Sequence, residues 1–185
     1  MSFYVRLEIK MAILKLNKLD AAARQLNTAI KMWFTREDSV STHTLACAAY
    51  QVIHDVNSSR GGPELLYDAI CFKDEFRGKV IQKFRRDYDF FRHADRSPDD
   101  QIDFDEDLSE TFLFAGSFGL ESLGFAPDIV RGAFNIYFCI RNPEYLTEVG
   151  RTRFKDGPQA NAVEKALSVP REKFFEAYQL LRFQQ

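Results

Sequence analysis

Apolar residues recur at intervals of three and four along most of the chain, which is the signature of helices that bury one face. Leu16, Leu19, Ala22, Ala23, Leu26, Ala29, Ile30 and Trp33 predict a long amphipathic helix ending near Phe34. Alanine and leucine favour helix strongly, and neither Pro nor Gly interrupts the run. The polar break Thr35-Arg36-Glu37-Asp38 follows, with Ser39 or Ser41 expected to cap a second helix by accepting an unpaired backbone N–H. That helix should run to about Asn57. Its core stripe is read as Leu45, Ala48, Ala49, Val52, Ile53 and Val56, with His43, Cys47, Tyr50 and His54 on the other side. Leu45, Ala48, Ala49, Val52 and Ile53 are expected to be nearly fully buried. Ahead of all this, Phe3, Val5 and Leu7 alternate with polar residues over Met1–Leu7, a short run that suits an extended segment as well as a helix start.

The segment 57–63, NSSRGGP, reads as a loop, because Gly61 and Gly62 permit positive φ and Pro63 suits a first helical turn. Helical spacing resumes through Leu66, Ala69, Ile70, Phe72 and Phe76, weakens at Gly78, and continues through Val80, Ile81, Phe84, Tyr88 and Phe91. This is either one kinked helix or two. An acidic loop with Pro98 leads to a fourth helix, from about Asp105 to Leu123, with acids in the first turn and Gly124 as the stop. A fifth should start at Pro127 and end before Asn142-Pro143. A basic loop, 150–158, precedes one or two short helices split near Pro170. These have Phe174, Phe175, Tyr178, Leu181 and Phe183 to bury. No internal repeat or domain boundary interrupts the pattern. Residues 1–185 are therefore read as a single all-α domain, a helical bundle of six or seven helices.

Composition adds three constraints. Eighteen phenylalanines point to a bulky aromatic core and to an apolar surface through which a homodimer would form. A net charge of −2 and a pI near 6.0 do not support a general nucleic-acid binder, leaving only a local basic patch for that role. Cys47, Cys71 and Cys139 have no CxxC spacing, so they read as reduced, buried thiols of a cytoplasmic protein. No signal peptide and no apolar run long enough for a membrane span is read in the chain.

Candidate chemistry gathers in residues 85–98, RRDYDFFRHADRSP. Arg86 and His93 are seven residues apart, which places them on one helix face. There Arg86 could hold a phosphate and His93 could move a proton near neutral pH. Arg92, Asp95 and Arg96 are candidate ligand-binding residues beside them. His43 and Cys47 are one helical turn apart, so a metal site could form with His93, Asp95 or Glu110 from elsewhere. His54 lies ~16 Å further along the axis and could not share that ion with His43. The sequence names no cofactor. No ExxH pair stands for a di-iron site, the acidic run Asp99–Asp107 fits no EF-hand register, and nucleophilic triads, Walker loops and dinucleotide fingerprints are missing. The helix dipole is expected to bias His43, near a helix start, toward the neutral imidazole, and His93, near a helix end with Asp95 close by, toward the charged one. Arg86, His93 and His43 are thus the candidate catalytic residues of a cleft shared by the two histidines.

Two resemblances bear on these residues. Ser41-Thr42-His43-Thr44-Leu45-Ala46 with Ala48-Ala49-Tyr50, and Phe90-Phe91-Arg92-His93-Ala94-Asp95, resemble a group of uncharacterised bacterial proteins. That group carries S-x-H-T-L-A…A-A-Y followed by F-F-[KR]-H-A-D. The likeness covers about residues 17–100. It implies a bacterial, cytoplasmic protein and marks His43, His93 and Asp95 as shared, without implying an activity. Separately, Arg86 through His93 resembles the R-x(4–6)-H motif of HEPN domains, which implies a ribonuclease or nucleotide-binding role. Three classes stay open: a non-catalytic binding or interaction module with a polar His/Asp pocket, a HEPN-like enzyme using Arg86 and His93, and a metal-binding protein using His43, His93 and Asp95.

Overall fold

A computed structural model describes residues 13–66, 74–93, 95, 97–145, 148, 152, 166 and 168–183, with side chains described except in 74–80, at 145 and in 181–183. Among the described residues there are six α-helices and no strand, packed as one bundle. The helices are α1 (Lys18–Phe34), α2 (Ser39–Ser59), α3 (Asp74–Arg92), α4 (Leu108–Ser122), α5 (Ile129–Arg141) and α6 (Arg171–Phe183), with a 3₁₀ turn at Pro143–Tyr145. No described helix is long and apolar enough to cross a membrane. Residues 1–7, Cys71 and nearly all of the basic loop 150–158 lie outside the described residues.

The helix starts are set by side chains that differ in part from those expected. The Asn17 side chain accepts a hydrogen bond from the Asp20 amide at 2.8 Å, so α1 begins at Lys18 and leaves Leu16 outside, 45% exposed. Asp38, rather than Ser39 or Ser41, caps α2, accepting from the Ser41 amide at 2.7 Å. A carboxylate meets that amide with full charge and also complements the helix dipole, which gives it the advantage over a hydroxyl one residue later. Hydrogen bonding from the Ser41 hydroxyl, and after it from the Ser41 amide, holds the Asp38 carboxyl below the usual carboxylate range. Asp128, not Pro127, fixes the start of α5 by accepting from the Val130 and Arg131 amides. It also accepts from Asn27 Nδ2, which ties α5 to α1. Gly124 closes α4 with φ +88°, where a Cβ would be strained.

α2 is the central element, packed against α1, α4 and α3. A helix with three neighbours buries more than one stripe, and the face expected to be secondary turns out to be the deeper one. His43, Ala46, Cys47 and Tyr50 have no exposed surface, and neither do Ala49 and Ile53. Leu45, Ala48, Val52 and Val56 are only half-buried at the edge of the core. α4 reaches α2 through Gly116 and Gly119. A Cβ at Gly119 would lie 2.5 Å from Ile53 Cγ2 and 3.0 Å from Leu65 Cδ1, closer than packed atoms allow. Gly119→Ala is therefore expected to destabilise the protein by ~1–3 kcal/mol through overpacking. It should do so although alanine is favoured over glycine in a helix by about 1 kcal/mol. A urea midpoint equal to or above wild type would show that α2 and α4 can separate at no cost.

At the other end of the bundle, aromatic rings join α1, α5 and α6. Phe34 stacks on Phe175 at 4.5 Å between centroids and meets Trp33, Phe134 and Tyr137 edge-on. This cluster fixes the start of α6 against the end of α1, and that junction forms one side of the cleft described next.

Candidate functional site

The end of α3 places the residues read from the sequence as follows. Arg86 is tied down twice, its Nε donating to Asp87 Oδ1 at 2.8 Å and its Nη2 to the Asp103 carbonyl at 2.9 Å. Asp87, the residue it grips, is 1% exposed. The Arg92 guanidinium lies over the Tyr88 ring, 4.5 Å from its centroid. His93 follows the last helical residue, and its Nδ1 is 3.9 Å from Asp95 Oδ1, an electrostatic pairing beyond hydrogen-bond length. Arg96 lies outside the described residues.

His43 does come up against this helix end, as expected, but the junction is filled. Phe91 of α3, Phe104 of the acidic loop and Phe112 of α4 all meet its ring edge-on at 5.1–6.1 Å between centroids. No surface of His43 remains exposed. Its Nδ1 is 3.1 Å from Ser109 Oγ and its Nε2 is 3.3 Å from Cys47 Sγ. The predominant influence on its charge is therefore burial, which pushes the imidazole toward the neutral form against the pull of nearby Asp87. Burial also raises the Cys47 thiol far above its ordinary range, with Asp87 adding to the effect. This thiol is a packed hydrogen-bonding group. Among the described residues, no group of three His, Cys, Asp or Glu side chains is gathered closely enough to hold a metal ion. His54 pairs with its neighbour Asp55 at 3.3 Å and faces Tyr50.

A concavity of about 160 Å³ lies on the other side of Ser109 and touches neither His43 nor His93. Four elements line it. The end of α1 and the following turn give Trp33, Arg36 and Glu37. The first turn of α2 gives Ser39 and Thr42. The approach to α4 gives Glu106, Asp107 and Ser109, and the start of α6 gives Arg171. Arg171 lays its guanidinium over the Trp33 indole, 4.4 Å from the ring centroid, which restrains both side chains. Among the described residues its Nε, which is buried, has no hydrogen-bond partner, and neither has Oε2 of the adjacent Glu172. Arg36, at φ +53°, forms an ion pair with Glu172 across the junction of α1 and α6. Behind the cleft, burial raises the Glu110 carboxyl, with Asp107 adding to the shift and Arg141, Arg171 and the Trp33 indole opposing it. Burial and the proximity of Arg36 lower Arg171.

The helix starts around this cleft are largely closed by the protein itself. The Leu108, Ser109 and Glu110 amides bond back to the carbonyls of Asp105, Glu106 and Asp107. Asp38 takes the Ser41 amide with its side chain and the Thr42 amide with its carbonyl. Recognition in the cleft thus falls to side chains. The same closure bears on Ser109, a residue that lines the cleft and whose hydroxyl meets His43. The amides at its own helix start are spent on turns, so they offer no oxyanion hole. The other nitrogen of His43 meets a neutral thiol where a nucleophilic triad would have a carboxylate.

Sequence reading missed Trp33, Arg36, Thr42, Ser109 and Arg171 as functional candidates. A signal existed for two of them: the chain's one tryptophan stands just before the Thr35–Asp38 break, and Arg171 directly follows the helix-starting Pro170. No family model, curated protein or solved structure matches the chain.

Proposed function

We propose that the protein is a non-catalytic binding module that holds a small polar ligand in the cleft between the end of α1 and the starts of α2, α4 and α6. The observation that carries this reading is Arg171. It is braced on Trp33 at the edge of a polar concavity whose walls come from four elements. A guanidinium held in one orientation in this way offers a polar ligand a pre-oriented donor group. The size of the concavity suits a ligand well below drug size. His43 contributes from behind, by holding Ser109 in place.

Trp33 is the chain's one tryptophan, so its fluorescence reports on this cleft without interference from other indoles. Titration with small carboxylates, phosphates, amines and amino acids up to millimolar concentration should give a saturable change in Trp33 emission with at least one class. The change should be lost in Arg171→Gln. Silence across every class would overturn the reading.

A further inference from the structure

Resting on that reading, we propose that the ligand is a small zwitterion of the α-amino-acid type, carrying one carboxylate and one ammonium. The cleft is lined by charges of both signs that come from different elements. Its cations are Arg36 at the end of α1 and Arg171 at the start of α6. Its acids include Glu106 and Asp107 on the approach to α4, with Glu37 beside Arg36. Arg36 is already paired with Glu172, so Arg171 is the cation set against Glu37, Glu106 and Asp107, a poor site for phosphate or another multiply charged anion, which the acids would repel. Arg171 in turn makes a poor site for a simple amine, which its charge would repel. A molecule that presents a carboxylate to one wall and an ammonium to the other satisfies both. Arg171 suits the carboxylate, because a guanidinium is a planar donor fork matched to two carboxylate oxygens. Glu106 and Asp107 are exposed side chains whose oxygens suit an ammonium. A volume of about 160 Å³ limits the ligand to one with a short side chain, and a lining of charged and hydroxyl-bearing residues favours a polar one.

The test uses the full chain and matched probes: alanine and serine as zwitterions, propionate without the ammonium, ethylamine without the carboxylate, and inorganic phosphate. Trp33 emission and the melting temperature are read for each. Alanine or serine should bind saturably, with propionate, ethylamine and phosphate each weaker by about tenfold or more, as expected when one charged contact is lost. Arg171→Gln and Glu106→Gln should each weaken the zwitterion by a similar factor. Glu106 is an exposed side chain, so its variant remains informative if Arg171→Gln disturbs the packing on Trp33. Equal binding of propionate, ethylamine or phosphate would overturn the zwitterion assignment while leaving a ligand cleft in place. Binding of the zwitterion with undiminished affinity in Glu106→Gln and Asp107→Asn would also overturn it. No response to any probe would overturn both this inference and the binding reading beneath it.

Discussion

Phe34→Ala is expected to destabilise the protein by about 3–5 kcal/mol, the usual range for truncating a large buried aromatic. Phe34 ends α1 with no exposed surface, and its ring touches α1, α5 and α6 together. Its stacked contacts with Phe174 and Phe175 help fix α6, whose first residue brings Arg171 over Trp33. The void left by the ring cannot be refilled from one side, because the neighbouring rings belong to three helices with different axes. Urea unfolding followed by Trp33 fluorescence measures the effect, and the native baseline should shift as well, since the indole loses its partner across the cleft. Phe118→Ala is the comparison, because Phe118 is 50% exposed and its loss should fall within the small range of surface substitutions. A Phe34→Ala variant no less stable than Phe118→Ala would mean that α6 is not anchored through this cluster.

The all-helical fold was legible because its evidence is periodic and local. The stop at Gly124, the end of α5 before Asn142-Pro143 and the start of α6 after Pro170 all follow from backbone chemistry written in single residues. The core of α2 was less legible. A period of 3.6 locates apolar stripes but carries no information on the number of neighbours, and with three of them the small and polar residues His43, Ala46 and Cys47 are buried more deeply than Leu45 or Val52. The cleft was nearly illegible, since its walls come from four elements spanning Trp33 to Arg171, and no local spacing joins them. His43 was picked out as a site residue near a helix start, and the structure places it in a closed aromatic box. Enclosure between Phe91, Phe104 and Phe112 pushes its pKa down, against the pull of Asp87, and that enclosure comes from three separate elements that no local spacing joins.

That enclosure leads to a second large effect, one that depends on pH. The groups facing His43 are Cys47 on α2, Asp87 on α3 and Ser109 on α4. Burial lowers its folded pKa below the ordinary 6.5, and Asp87 only partly offsets this. The folded protein therefore keeps His43 neutral in a range where the unfolded chain binds a proton. Stability from this residue is fully present above pH 6.5 and is lost as pH falls from 6.5 through the lowered folded value, by up to ~1.4 kcal/mol per pH unit. At pH 7.5, His43→Ala should cost about 2–5 kcal/mol, because it opens a cavity in a closed aromatic box and leaves Ser109 Oγ and Cys47 Sγ without their shared partner. The variant has no proton to take up at this position, so the gap between it and wild type should narrow as the pH is lowered to 5.5. Taking the difference between the two proteins cancels the contributions that the substitution does not touch. Chemical denaturation at several pH values from 5.5 to 7.5 measures the gap directly. A constant gap would show that His43 does not titrate differently on folding. A gap that widens in acid would show that Asp87 outweighs burial and that His43 is held as a cation.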